Sequence, residues 1–140
     1  QFSNPEARTL AAHNQSLAMA EGRISAISRI EDIVASELDR LGIEYIRQKP
    51  IRDPGTGRYC ACVDFLFADG RALEVNGTYW HTDPRAYPNG PIHASQRHTA
   101  RKYAAKTAAL AELGIPLMEV WEMDVRANPS EAVRAALALP

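Results

Sequence analysis

The chain has 140 residues, which is the usual size of one domain. Hydrophobic residues make up 46% of it, and 16 basic side chains are balanced by 17 acidic ones. This balance excludes a protein that binds nucleic acid through its overall charge, so any such contact must come from local clusters of Arg and Lys. No apolar run is long enough to span a membrane and no secretory signal opens the chain, so we expect a cytoplasmic protein without membrane contact.

The N-terminal residues 1–27 have few apolar anchors and are interpreted as a helical arm, which leaves residues 28–140 as the folded domain. The chain begins with Gln1 rather than Met, which indicates a fragment and leaves room for a separate targeting domain. Ser28 and Glu31 have the spacing of a capping box, which predicts that a helix begins there. Apolar residues follow at helical spacing, and Gly42 predicts the helix end.

Four strands and two further helices are predicted downstream. A short strand over 44–49 precedes a loop over 50–57, and strands over 59–67 and 71–76 form a hairpin joined near Asp69 and Gly70. Residues 77–93 are rich in Gly, Pro and Asn and predict a long irregular loop. A long helix over 94–113, a strand over 117–121 and a last helix from Ser130 complete the order.

Two cysteines lie on the first strand of the hairpin, at Cys60 and Cys62. Strand alternation puts both on one face, where neighbours two residues apart are poorly placed for a disulfide. We therefore expect two buried, reduced thiols. The chain has no further cysteine, so these two predict no zinc site.

The register of the hairpin can be predicted from its apolar pattern. A two-residue turn would place Val75 opposite Asp64 and mix the apolar and polar faces. A three-residue turn over 68–70 pairs like with like, and a slip of one residue exchanges whole faces, so the pattern predicts this second register. It matches Val63 with Val75, Phe65 with Leu73, and Asp64 with Glu74.

Asp64 and Glu74 would then be two carboxylates that face each other on an otherwise apolar strand pair. Opposing side chains in a sheet have Cβ atoms about 5 Å apart, and like charges there are destabilising. A hard divalent cation, Mg²⁺ or Mn²⁺, would relieve the repulsion and keep open positions for phosphate and water. The alternative is that Glu74 lies in water near the sheet edge and Asp64 caps a neighbouring backbone group. The pattern alone leaves both interpretations open.

The residues around this hairpin resemble the PD-(D/E)xK nucleases. Asp64 and Glu74, preceded by a helix that carries Glu31, look like the core of that superfamily. The segment from Val75 to His81, with its Trp-His ending, resembles very short patch repair (Vsr) endonucleases and is similar to phage homing endonucleases with a Glu-Asp-x-His-Asp signature. The segment 113–122 resembles the closing strand of the family. The likeness covers residues 28–128.

This resemblance implies an α/β domain of restriction-endonuclease-like, Vsr-like architecture, with a mixed central sheet flanked by helices. The implied activity is hydrolysis of phosphodiester bonds in double-stranded DNA with Mg²⁺ or Mn²⁺, in a bacterial or phage-infected cell. A phage-type homing endonuclease is expected, with homodimer formation left open. The alternatives are a mismatch-repair nicking enzyme, a catalytically degenerate DNA-binding module, and a nuclease for RNA or structured DNA.

Carried over by position, the resemblance implies five site residues. Asp64 matches the metal-binding aspartate, and Glu74 matches the second-strand glutamate. The Vsr branch uses a backbone carbonyl instead, which makes Val75 the alternative metal ligand. His81 matches the histidine that acts as general base or holds the attacking water, and Glu31 matches a helix glutamate that contacts the site. Helix capping would also account for Glu31, and a solvated loop for His81.

Three positions depart from the family pattern. The superfamily lysine is replaced by Asn76, so His81 or another group must assist proton transfer. The position of the family's last aspartate is occupied by Tyr103, and Asp83 in the loop is the candidate that would replace it. Thr78 stands where the Vsr branch has a zinc-binding cysteine, so no structural zinc is expected.

An aromatic pair and two basic clusters are the candidate contacts to DNA. Tyr79 and Trp80 are either core residues or side chains that stack on bases. The basic clusters are either solvated faces or phosphate contacts that position the duplex without reading its sequence. They comprise Arg47, Gln48, Lys49, Arg52 and Arg58 beside the hairpin, and Arg97, Arg101, Lys102 and Lys106 on the long helix.

Overall fold

The structure is a computed structural model that describes residues 24–140, with side chains from residue 29 onward. The fold is mixed α/β, as predicted, with a four-stranded sheet and helices. The elements are α1 (Ile24–Arg40), β1 (Tyr45–Arg52), β2 (Tyr59–Phe67), β3 (Ala72–Asn76), α2 (Ala94–Glu112), β4 (Leu117–Trp121), α3 (Glu122–Ala127) and α4 (Pro129–Ala136). The predicted arm, apart from residues 24–27, lies outside the described residues.

The four strands form one mixed sheet in the order β1-β2-β3-β4. β1, β2 and β3 are antiparallel neighbours, whereas β3 and β4 are parallel. Parallel neighbours need a crossover connection, and α2 supplies it. This places β3 inside the sheet and brings α2 back across the strands that carry Asp64 and Glu74.

Two predicted boundaries were wrong. α1 begins at Ile24, so Ser28 lies inside the helix and does not start it. The capping-box spacing misled because residues three apart are also neighbours along a helix face. β1 extends to Arg52, although Pro50 had suggested a loop. Proline is tolerated because β1 is an edge strand, where a missing N–H costs no sheet hydrogen bond.

The C-terminal region contains a helix that the sequence did not predict. α3 covers six residues directly after β4, which is too short for a periodic apolar pattern to be recognised. The last helix begins at Pro129, one residue before the predicted Ser130. Its start is capped by Asn128, whose side chain accepts the N–H of Glu131.

The predicted apolar face of β2 is confirmed, since Ala61, Val63, Phe65 and Phe67 are each at most 5% exposed. The helices α1, α3 and α4 form the main core with Phe65 and Phe67, whereas Ala61 and Val63 belong to a second, smaller cluster that includes Leu110 of α2. In contrast, α2 has only two buried residues, Gln96 near its start and Leu110 near its end. The middle of α2 is therefore free to form one wall of a cavity.

No helix within residues 24–140 combines the length and the apolar character that crossing a bilayer requires.

Candidate active site

The hairpin of β2 and β3 has the predicted register. Phe65 pairs with Leu73, and Leu66 pairs with Ala72. The N–H of Phe67 donates to the carbonyl of Arg71 and closes a three-residue turn. Continued by one residue, this register sets Asp64 opposite Glu74, as the apolar pattern predicted.

The two facing carboxylates bind the backbone of the opposite strand. Glu74 Oε2 accepts the N–H of Asp64 at 2.7 Å, and Asp64 Oδ2 accepts the N–H of Val75 at 2.8 Å. The alternative interpretation was therefore correct for Asp64, which does cap a backbone group. It was wrong for Glu74, which is 3% exposed because β3 lies between β2 and β4.

The remaining oxygens of this pair have partners from two other elements. Lys106 of α2 places its ammonium 2.5 Å from Glu74 Oε1. Gln48 of β1 donates from Nε2 to Asp64 Oδ1 at 3.1 Å. Lys106 thus puts a positive charge beside the carboxylates. Because Asn76 occupies the position of the superfamily lysine, the sequence had predicted no lysine here. The sequence had assigned Lys106 to DNA contact alone, because nothing in its local spacing relates it to β3.

Glu31 reaches the same cluster from α1. It is 7% exposed and accepts hydrogen bonds from Arg47 at 3.1 Å and from Gln48 at 3.0 and 3.1 Å. Helix capping does not explain Glu31, because α1 begins two turns earlier at Ile24. Because the buried Glu31 shares the amide donor of Gln48 with Asp64, it belongs to the same site.

The cluster holds more carboxylates than cations. Glu31, Asp64 and Glu74 face Arg47 and Lys106. Burial, reinforced by the charge of Asp64, raises the pKa of Glu31 to about 7 and that of Glu74 to about 8. Near neutral pH the surplus negative charge is therefore relieved by bound protons, which a cation could displace.

A cavity of about 680 Å³ lies between α2 and the strands β1 and β2. Six of the predicted site residues line it. Eight other lining residues were not predicted to line a site, although Tyr103 had been named as the position of the family's last aspartate. Strand alternation correctly put Cys60 and Cys62 on the face of Asp64, but the expectation that both are buried was wrong, since they are half-buried. The predicted six are Gln48, Asp64, Trp80, His81, Lys102 and Lys106, and the others are Tyr59, Cys60, Ala61, Cys62, His98, Thr99, Tyr103 and Ala105.

His81 lies on the cavity wall, partly buried, so the solvated-loop interpretation was wrong. Its backbone N–H donates to Gly77, and its ring stands edge-on to Tyr103 with 4.6 Å between ring centroids. Burial lowers the pKa of His81, an effect that the charge of Asp64 opposes. The ring is therefore neutral near pH 7 and has a nitrogen that can accept a proton.

Tyr103 and Asp83 have separate partners. The hydroxyl of Tyr103 donates to Glu119, which also accepts from the side-chain amide of Asn76 at 2.9 Å. Asp83 is buried in an ion pair with Arg85 at 2.8 Å and does not line the cavity. The structure thus does not bring Asp83 to the position of the family aspartate.

The remaining predicted residues lie outside the cavity lining. Arg47 spans Glu31 and Asp32, and the hydroxyl of Tyr79 lies 2.7 Å from Ser95 Oγ. Glu31, Glu74 and Val75 do not line the cavity either. Glu74 and Val75 exchange hydrogen bonds with Asp64, and Glu31 shares the Gln48 amide with it. The predicted DNA contacts that the cavity does not include are Arg47, Lys49, Arg52, Arg58, Tyr79, Arg97 and Arg101.

The donor set fits a hard cation better than a soft one. Within the described part of the chain, no group of three or more His, Cys, Asp or Glu is arranged to hold a metal ion. Mg²⁺, however, commonly takes one or two carboxylates and completes its shell with water and substrate phosphate. Asp64 and Glu74 supply such oxygens, and each retains a lone pair beside its present hydrogen bond.

Comparison of the chain with family models, with curated proteins and with solved structures gave no match. A function for this site must therefore be argued from its own chemistry.

Proposed function

We propose that the chain is a metal-dependent endonuclease that hydrolyses phosphodiester bonds in DNA. The observation that carries the proposal is that Asp64, His81 and Lys106 line one cavity, while Glu74 faces Asp64 and pairs with Lys106 beside it. Carboxylate oxygens for a cation, a neutral imidazole and an ammonium group are the parts that phosphodiester hydrolysis needs. The resemblance to the Vsr-like nucleases independently points to Asp64 and His81.

Each residue has a distinct task in this mechanism. Asp64, with Glu74 or the carbonyl of Val75, would hold Mg²⁺, which when bound polarises the phosphate and lowers the pKa of its water. His81 accepts the proton of the attacking water, because its ring is neutral near pH 7. Lys106 lines the cavity beside the carboxylates, so its ammonium can stabilise the negative charge that develops on the phosphate oxygens.

The surfaces at the cavity suit a DNA backbone. His98 and Lys102 of α2 line it and are exposed, and Arg52 and Arg58 are exposed next to Tyr59, which also lines it. Such groups contact phosphates and fix the position of the duplex without reading its sequence. Trp80 on the cavity wall supplies an aromatic face for a base.

Within this class we favour a phage-type homing endonuclease over a mismatch-repair nicking enzyme. Thr78 stands where the Vsr branch has a zinc-binding cysteine, and its backbone N–H instead donates to Glu122 at 2.9 Å. This contact ties the loop to α3 through a carboxylate rather than through a metal ion.

The test is conversion of supercoiled plasmid to nicked or linear DNA with Mg²⁺ or Mn²⁺. Asp64→Asn, His81→Ala and Lys106→Met should each lose activity by at least about tenfold, the lower range for loss of one catalytic group. Glu112→Gln, an exposed change at the end of α2 far from the cavity lining, is the matched control and should retain activity. Equal cleavage by all four variants would refute the site.

The second candidate is a DNA-binding module without catalysis. All four oxygens of Asp64 and Glu74 already accept hydrogen bonds, and Tyr103 replaces the family aspartate. Calorimetric titration with Mn²⁺ distinguishes the two functions. A nuclease should bind the ion with an affinity that Asp64→Asn abolishes, whereas a degenerate module should show no binding that depends on Asp64.

A further inference from the structure

Gln48 has a backbone conformation that is unusual for a residue in the middle of a strand. Its φ is +52°, in the left-handed region that side-chain-bearing residues rarely adopt. Its neighbours Arg47 and Lys49 pair regularly with Phe65 and Val63 on β2, so the irregularity is confined to one residue opposite Asp64. Such strain persists only where the surrounding contacts demand it, and it is concentrated at functional sites.

The side chain shows what this conformation achieves. Gln48 Nε2 lies 3.0 and 3.1 Å from the two oxygens of Glu31 and 3.1 Å from Asp64 Oδ1. The other amide atom, Oε1, accepts from the thiol of Cys62 at 3.7 Å. One nitrogen therefore stands between three carboxylate oxygens that come from α1 and β2.

A neutral amide is an incomplete partner for this place. It has two N–H groups for three oxygens, and it adds no charge beside Asp64, whereas Glu31 already pairs with Arg47. A lysine or arginine at position 48 would add a third fixed positive charge to those of Arg47 and Lys106 and would compete with a divalent cation for Asp64. An amide keeps the carboxylates together while it leaves their attraction for a cation intact.

We propose that Gln48 is a positioning residue whose amide occupies Asp64 Oδ1 in place of a divalent cation, with Glu31 as its second anchor, and that it releases this oxygen when Asp64 binds the cation. The inference rests on the proposed function, because it assumes that Asp64 is a metal ligand. The sequence had placed Gln48 in a basic cluster that contacts DNA. The proposal instead gives its side chain a role in the carboxylate cluster.

The experiment measures Mn²⁺ affinity by calorimetry, and thermal unfolding in EDTA, for the wild type, Gln48→Ala and Gln48→Gly. Both variants remove the amide, whereas only glycine also relieves the left-handed backbone. Both should unfold at a lower temperature than the wild type in EDTA, with glycine less affected than alanine. Both should nevertheless bind Mn²⁺ about fivefold more tightly, which corresponds to about 1 kcal/mol.

A gain in metal affinity from a destabilising substitution is the signature of the proposed role. Thr99→Ala, on the cavity wall but without a contact to the carboxylates, is the control and should leave the Mn²⁺ affinity unchanged. Equal or weaker binding by Gln48→Ala and Gln48→Gly, or a gain in only one of them, would overturn the inference. If the wild type binds no Mn²⁺, or binds it equally after Asp64→Asn, the proposed function fails as well.

Discussion

Replacing Lys106 with Met would remove the ammonium beside Glu74 while keeping most of the side-chain volume. Glu74 is 3% exposed and faces Asp64, so it would be left as a buried carboxylate without a cation. Across the 2.5 Å separation, the Coulomb attraction is roughly 7 kcal/mol at an effective dielectric constant of about 20, before desolvation is subtracted. Breaking a buried pair by removal of one partner costs about 3–5 kcal/mol.

Protonation of Glu74 makes this cost depend on pH. Burial and Asp64 raise the pKa of Glu74 to about 8, so below that pH the carboxyl is mostly neutral and loses little when the ammonium is removed. We expect Lys106→Met to lower the free energy of unfolding by about 2 kcal/mol near pH 9, because Glu74 can bind a proton there at a cost of about 1.4 kcal/mol. Near pH 5.5 the loss should fall below about 1 kcal/mol, the net value of an ordinary hydrogen bond.

Urea unfolding in EDTA, followed by circular dichroism at both pH values, measures this difference. The matched control is Lys102→Met, one turn earlier on the same helix, where the lysine is exposed on the cavity wall. It should change stability by less than about 0.5 kcal/mol at either pH. A loss for Lys106→Met that is independent of pH, or an equal loss for Lys102→Met, would refute the reasoning.

Three further outcomes follow from the same geometry. The metal-free protein should lose a few kcal/mol of stability as pH rises from 5 to 8. The pKa values of Glu31 and Glu74 are raised to about 7 and about 8 in the folded state, so the protons that these groups bind stabilise the fold only below those pH values. Stability in EDTA that is constant or rises over this range would contradict the shifts. Phe65→Ala should cost about 3–5 kcal/mol in urea unfolding, since Phe65 is fully buried in the main core, and a loss under about 1 kcal/mol would show that this face is not core. Asn128→Ala should cost about 1 kcal/mol by removing the cap of α4, and Asn128→Asp should retain most of it; equal losses in both would contradict the capping role.

The central hairpin was predictable because its information is local. Apolar residues alternate along β2 and β3 with a period of two, and only one register keeps them on a common face. That register is observed at Phe65 and Leu73, and it sets Asp64 opposite Glu74 through local pattern alone. His81 was predicted from the resemblance of its Trp-His segment, and its ring lies on the cavity wall.

The partners of these residues were not predictable in the same way. Lys106 and Glu74 are 32 residues apart, and Gln48 and Glu31 are 17 apart. No periodic pattern links such positions, because their meeting depends on how α2 crosses the sheet and how α1 packs against it. For the same reason, the local spacing of basic residues predicted Lys106 and Gln48 only as members of basic surface clusters.

Sequence alone thus determined which residue types lie on each face of the hairpin, since side-chain direction follows directly from strand periodicity. Only the tertiary structure decided how the two carboxylates are compensated. In that structure Lys106 forms an ion pair with Glu74, and the Gln48 amide lies between Glu31 and Asp64. Glu74 is buried because β3 is an inner strand of the sheet. Burial and charge balance arise from the assembly of distant segments, and they set the pKa values and hence the chemistry of this site.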